Sequence, residues 1–172
     1  MLSDKDIIKL IKRKKLLIKP LPKNIHGAHA NLRLSNILLK YKNDKGDLKD
    51  NSSFDFDKFL IKKSGYELKP SEFVLGSTLE KVSMPDDFFG FIETKGNIAR
   101  AGIQAHNSDG HIDPGFSGNI TLEIKNNSNR SIIIYPNIEF VQLYIFKLSS
   151  KSITTYNGKY QNQKGPTVYK KD

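Results

Sequence analysis

A mainly β domain with one N-terminal helix, closed as a barrel or packed as a sandwich, is the fold class this sequence predicts. Three observations carry the prediction. Short runs rich in β-branched and aromatic residues recur along the chain, separated by clusters of Gly, Pro, Asn and Asp. Residues 119–125 alternate strictly, with Ile120, Leu122 and Ile124 on one face and Thr121, Glu123 and Lys125 on the other. Only one stretch, near the start, has helical spacing.

In chain order, the helix comes first, over about residues 3–14. Ser3 can cap it, Asp4 and Asp6 suit its first turn, and Ile7, Ile8, Leu10 and Ile11 give the apolar spacing. The basic run KRKK closes it, and Pro20 and Pro22 stop it. The strand-like runs follow: LLIKPL, NLRLSNILL, EFVLGSTLEKV, GFIET, GNITLEIKN, SIIIYP and EFVQLYIFKL. Residues 42–65 are polar and read as a mobile excursion, and residues 157–172 as an irregular C-terminal tail. Asp113-Pro114-Gly115 is a tight-turn signal, so residues 111–125 read as a hairpin whose second strand carries Glu123.

Length and composition bound the function. The 172 residues suit a single domain, 1–172, able to bury a core without staples. With 37% hydrophobic and 27% charged residues the chain is globular rather than disordered. The absence of cysteine excludes disulfides, thiolate zinc sites and a cysteine nucleophile, and fits a cytoplasmic location. No apolar run reaches membrane-spanning length, and the N-terminus lacks the pattern of a secretory signal. A net charge of +10 favours anionic partners, although scattered solvated lysines explain it equally well. The one dense cluster, residues 12–15, is the only feature pointing to nucleic acid. No basic stripe interleaved with aromatics accompanies it, so nucleic acid is disfavoured as a partner.

Two stretches carry chemistry. FIETKGNIARAGI, residues 91–103, places Lys95 and Arg100 around Gly96, either as a surface turn or as a loop that holds an anion. HIDPGFSG leads into the strand of Glu123. Taken alone, Glu123 also reads as a solvated strand carboxylate, Asp113 as a turn residue and Phe116 as a buried turn aromatic. The four histidines pair as His26 with His29 and His106 with His111, with no helix or carboxylate to support a metal site.

Together the blocks GAHANLRLS (27–35), MPDDFFGFIE (84–93), ETKGNIARAGI (93–103), HIDPGFSGNITLEI (111–124) and YNGKYQNQKGP (156–166) resemble the family of dCTP deaminases and trimeric dUTPases. The resemblance spans nearly the whole chain except the excursion near 42–65. The tail points to the deaminase branch. The resemblance implies a homotrimer of distorted jelly-roll β-barrels with a site at each subunit interface, and leaves a dimer of trimers open. It implies dCTP and dUTP as ligands, with Mg²⁺ carried by the triphosphate and no zinc. Glu123 and Arg100 are implied as catalytic. Residues Lys95, Gly96, Asn97, Ile98, Ala99 and Arg100 are implied as the phosphate loop, and Asp113, Phe116, Thr121 and Leu122 as further substrate contacts. Tyr156, Lys159 and Gln163, on a tail closing over a neighbouring subunit's site, complete the set.

By the same resemblance, Glu123 acts as general base on a water attacking C4 of cytosine, giving dUTP and ammonia. Hydrolysis of dUTP to dUMP, with Asp113 as base and Mg²⁺ required, is a further step or an alternative activity. The chain departs from the family pattern in places. Lys95-Gly96-Asn97 stands where Arg-Ser-Ser is usual, Asn31 replaces an aspartate, and Asp109 sits where a small residue is preferred. These departures keep two alternatives open: a dUTPase without deaminase activity, and a pyrimidine deoxynucleotide-binding protein without catalysis.

Overall fold

The computed structural model describes residues 1–171. Helix α1 (Asp4–Lys12) is followed by β1 (Leu17–Lys19), β2 (Ile25–His26), β3 (His29–Arg33) and β4 (Ile37–Tyr41). Next come β5 (Phe56–Leu60), β6 (Tyr66–Leu68), β7 (Phe73–Ser83) and β8 (Phe88–Thr94). Helix α2 (Gly96–Arg100), β9 (Ile103–Gln104), β10 (His111–Ile112), β11 (Ser117–Asn126), β12 (Ile132–Ile134) and β13 (Glu139–Lys147) complete the order. Among the described residues, no helix is long and apolar enough to cross a membrane.

The strands form two main sheets. The first runs β5-β4-β7-β11-β9, with β1 also paired to β7; the second runs β10-β8-β13-β3-β2. A two-stranded ribbon joins β12 and β6. The arrangement is mainly β and jelly-roll-like, and the two sheets pair within themselves rather than closing into one continuous barrel. Inward residues of both sheets, including Leu32, Leu34, Leu122, Ile124, Phe140 and Leu143, are fully buried between them. Truncating any one to Ala would cost about 2–5 kcal/mol through lost transfer energy and a residual cavity.

One polar tie crosses this core. The carboxylate of Glu80, on β7, is fully buried. The Arg33 backbone N–H and guanidinium Nε, on β3, donate to its two oxygens at 2.8 and 2.7 Å. Removing either partner would leave a buried charge unpaired, at a cost of about 3–5 kcal/mol.

The N-terminal helix forms as its caps dictate. Asp6 N–H donates to the Ser3 hydroxyl, acids occupy the first turn and lysines the last, and Ile7 is buried.

Three expectations change. The 111–125 segment is not a hairpin: β10 pairs with β8 in the second sheet, whereas β11 pairs with β7 and β9 in the first. The Asp113–Phe116 turn, closed by Phe116 N–H to the Asp113 carbonyl and with Gly115 at φ +84, carries the chain across from one sheet to the other. That φ lies in the left-handed region, which glycine enters without a Cβ penalty. A second helix, α2, exists. Its single turn is too short to show a period.

The third change is in the excursion, which contains a 3₁₀ turn at Asn51–Phe54 and the strand β5. Residues of β5 are exposed on both faces, so burial leaves no pattern in its sequence; backbone pairing to β4 makes it a strand.

Candidate functional site

The outer face of the first sheet supports a cavity of about 350 Å³, within the range that holds small-molecule ligands. The alternation of β11 sends Leu122 and Ile124 inward and leaves Thr121 and Glu123 facing the cavity, which Ile120, though buried, also lines. The turn between the sheets brings Asp113 and Phe116 to its rim. The C-terminal segment lies over the opening and supplies Tyr156 and Gln163. Six residues expected from the sequence, far apart in the chain, therefore share one concavity: Asp113, Phe116, Thr121, Glu123, Tyr156 and Gln163.

Glu123 is held in place. Its Oε2 accepts the Asn107 backbone N–H at 2.7 Å, and the Asn107 carbonyl in turn accepts from Gln104 Nε2 at 3.2 Å. Phe116 is almost buried and meets the Tyr156 ring edge-on, with centroids 5.7 Å apart. The C-terminal segment is docked by polar contacts along β11. Gln163 Nε2 donates to the Asn119 carbonyl at 2.6 Å, Gly165 N–H to Asn119 Oδ1 at 3.1 Å, and Thr167 N–H to the Thr121 hydroxyl at 3.2 Å. Gln161 bridges the turn, accepting from Ser117 N–H and donating to the Gly115 carbonyl. The segment covers the pocket of its own chain.

Other expected residues lie elsewhere. The 95–100 stretch does not line the cavity. Lys95 stands 3.8 Å from the Glu139 carboxylate, which also accepts from Asn31 Nδ2 at 2.9 Å. Asn31 is 2% exposed, and its Oδ1 has no protein partner. An aspartate there would set two carboxylates against each other, which gives a physical reason for the amide. Arg100 closes α2, with Ile98 packed against the core and Gly96 and Asn97 at the helix start. A Cβ on Gly96 would meet nothing nearer than the Arg100 guanidinium at 3.5 Å. Leu122 is fully buried in the core, so its side chain is not a ligand contact. Lys159 is outside the lining; its ammonium donates to the Lys170 carbonyl and sits over the rings of Tyr160 and Tyr169.

Some lining residues had not been singled out. Tyr41, Tyr160 and Tyr169 contribute aromatic walls. Burial pushes the Tyr41 hydroxyl above its ordinary value, only partly offset by the Tyr169 N–H it accepts. The spacing of tyrosines through an otherwise polar tail was the available signal. Asp109 and His111, both noted in the sequence, line the cavity too and pair at 2.8 Å, a carboxylate partner that the sequence did not reveal.

The described lining therefore holds three carboxylates, Asp109, Asp113 and Glu123, and no lysine or arginine. Such a set can polarise a water and orient a base, but it would repel a polyphosphate.

The other histidines have structural partners. His26 and His29 face each other edge-on across β2 and β3, at 4.6 Å between centroids. Burial, with His26 and Lys95 nearby, lowers the His29 pKa against an opposing pull from Glu139. His106 Nε2 lies 3.2 Å from Glu93. No cluster of three or more His, Asp or Glu side chains placed to hold a metal ion occurs among the described residues.

The pattern of the family described as dCTP deaminase-like matches residues 1–148. The dCTP deaminase, dUMP-forming, of Dictyoglomus turgidum is 38% identical over 98% of this chain and 93% of its own length. That of Nocardia farcinica is 37% identical over 97% and 89%. Among solved structures, the 2′-deoxycytidine 5′-triphosphate deaminase of Agrobacterium tumefaciens matches 84% of this chain at TM-score 0.67 and 17% identity. This chain spans about half of that one, 47%. The dUTPase of Staphylococcus bacteriophage 80alpha matches 83% of this chain and 96% of its own, at TM-score 0.53 and 15% identity. At these identities the two structures speak to the fold alone, but the sequence match to the curated relatives is nearly end to end, and on it the chain belongs to the dCTP deaminase-like family.

Proposed function

We propose that this protein is a dCTP deaminase that removes the 4-amino group of cytosine and carries the product on to dUMP. The observation that carries the reading is Glu123, fixed by the Asn107 N–H on the wall of a nucleoside-sized cavity beneath the C-terminal segment. The near full-length relatives named dUMP-forming dCTP deaminases support the substrate.

In this reading Glu123 takes a proton from a water as that water's oxygen bonds to C4 of the cytosine ring. The proton is then delivered to the 4-amino nitrogen. The C4–N bond breaks, ammonia departs, and the remaining hydroxyl proton passes to ring N3, leaving a C4 carbonyl. Phe116, packed by Tyr156, stands against the sugar and excludes a 2′-hydroxyl by lack of space. Asp113, exposed at the rim, serves the second step by taking a proton from a water that attacks the α-phosphate, and the bond to the bridging oxygen breaks with pyrophosphate leaving. Mg²⁺ enters with the triphosphate as part of the substrate.

The phosphates need cations that the cavity lacks. Residues 95–100 of a second copy supply them, with Arg100 as the principal grip. This supports an assembly, and a homotrimer with sites at its interfaces is the form we adopt. Half-buried Phe89, Phe91, Tyr144 and Phe146 on the outer face of the second sheet offer apolar surface for it. The cytoplasmic location expected from the sequence is kept.

The test is incubation of the purified protein with dCTP, and separately with dUTP and Mg²⁺, resolving dCTP, dUTP and dUMP by chromatography. Wild-type protein should convert dCTP to dUMP. Glu123→Gln should lower ammonia release by about 10²–10⁴-fold, the usual contribution of a positioned general base. Full ammonia release by that variant would end the mechanism.

A further inference from the structure

The part of the excursion that precedes β5 reaches the far end of the chain. Phe54 lies with its ring centroid 4.5 Å from that of Tyr169 and 5.5 Å from that of Tyr41. The Tyr169 hydroxyl donates to the Leu48 carbonyl at 2.8 Å, and its backbone N–H donates to the Tyr41 hydroxyl at 3.2 Å. The Lys171 N–H donates to Asn51 Oδ1 at 2.6 Å.

The excursion is itself braced. The Asp50 carboxylate caps the Asn51–Phe54 turn through Ser52 N–H at 2.9 Å, and the Ser53 hydroxyl donates to the carbonyls of Asp47 and Asp50. Gly46 passes so close that a Cβ there would sit 2.9 Å from the Phe54 ring.

These contacts begin where the docking on β11 stops. Gly165 and Thr167 hang from Asn119 and Thr121, and the next rungs, Tyr169 and Lys171, hang from Tyr41 and the excursion. Tyr41 and Tyr169 both line the cavity, whereas Phe54 does not.

We propose that the excursion is a clasp that fixes the C-terminal segment over the pocket of its own chain, with Phe54 as a positioning residue for Gln163 and Tyr156. The part of this that concerns nucleotide rests on the deaminase reading above. A segment held at both ends presents its side chains to a bound nucleotide without first being ordered, so the clasp lowers the entropic cost of closure. It also assigns closure in cis, because a segment leaving for a neighbouring subunit would break every contact just named.

The experiment uses full-length protein. In ligand-free samples, Phe54→Ala should speed hydrogen exchange at the amides of Gly165, Thr167 and Tyr169 by about ten-fold, as expected for local opening of a surface segment. Tyr169→Phe, which loses only the bond to Leu48, should speed it less. Phe54→Tyr, which keeps the ring, should stay near wild type.

With nucleotide, Phe54→Ala should raise KM for dCTP by about ten-fold while kcat stays within about two-fold, the split expected when binding geometry rather than chemistry is disturbed. Exchange at 165–169 unchanged in both Phe54→Ala and Tyr169→Phe overturns the clasp. Faster exchange with an unchanged KM overturns the positioning role. If wild-type protein turns over no deoxynucleotide, the deaminase reading fails by itself, and the exchange measurement still decides the clasp.

Discussion

The cavity under the C-terminal segment and the short helix α2 carry opposite charge. The first has three carboxylates and no lysine or arginine in its described lining; the second has Lys95 at its N-cap and Arg100 as its last residue. The first is a half-open concavity beneath the C-terminal segment, whereas α2 has no buried side chain. A nucleoside triphosphate has both needs at once, a base to be worked on and a chain of anions to be held. Neither region meets both. The contrast fits the proposed reading, in which one chain holds half of a site and the other region of a second copy supplies the missing half.

The largest effect that tests this division comes from mixing. Glu123→Gln and Arg100→Ala should each lose about 10²-fold or more of deaminase activity, since each removes a group acting on the transition state. Co-refolded one to one, they should recover about a quarter of wild-type activity, because in a symmetric assembly with shared sites that fraction pairs an intact Glu123 with an intact Arg100. Activity no greater than the sum of the separate variants would place both residues in one chain's site.

A smaller effect sharpens the α2 side. Gly96 has an ordinary φ, and a Cβ there meets only the flexible end of Arg100. Gly96→Ser should therefore fold normally and raise kcat by up to about ten-fold by restoring a hydroxyl donor beside the phosphates. A lower thermal midpoint together with lower kcat would show that the glycine serves the backbone instead.

The smallest effect concerns the scaffold behind the cavity. Glu72 adjoins the cavity-lining strand β7. Its burial alone would raise its pKa, but bonds from Lys40, the Lys69 N–H and the Tyr66 hydroxyl outweigh that and lower it below its ordinary 4.5. A carboxyl with a depressed folded pKa contributes stability that is complete above the unfolded value and is lost as pH falls through the folded one. Denaturant melts taken from pH 6 downward should show stability falling below about pH 4.5 in wild type, and a shallower fall in Glu72→Gln. Parallel acid limbs would remove Glu72 from the account. Burial, together with the bond to Glu72, pushes the Tyr66 hydroxyl up to about 12, so it stays protonated through this range.

Much of the cavity side was legible because one-sided burial leaves a period of two in the sequence. The strict alternation of residues 119–125 gave both the inward core and the outward Glu123, and the Asp-Pro-Gly signal gave a real turn. What that turn connects was not legible, since hairpins and sheet-to-sheet crossings use the same residues. Leu122 shows the limit of reasoning by motif: next to Glu123 in sequence, it points the opposite way. The excursion hid its strand because β5 buries nothing, and its role lies in contacts with residues more than a hundred positions away. Local patterns do not encode such pairings. Nor could they show that Lys159, expected at the phosphates, is turned toward Lys170 and the tyrosines in the isolated chain.

The tie between Arg33 and Glu80 spans 47 residues of chain, and the excursion lies inside that span. Closing a loop costs free energy that grows only with the logarithm of its length, so ten added residues would change the cost by about 0.2 kcal/mol. The two-sheet core is thus almost indifferent to how long the excursion is. Its reach is answerable only to what it touches at the other end of the chain, and shortening or lengthening it should leave the melting temperature nearly still while shifting how the pocket is covered.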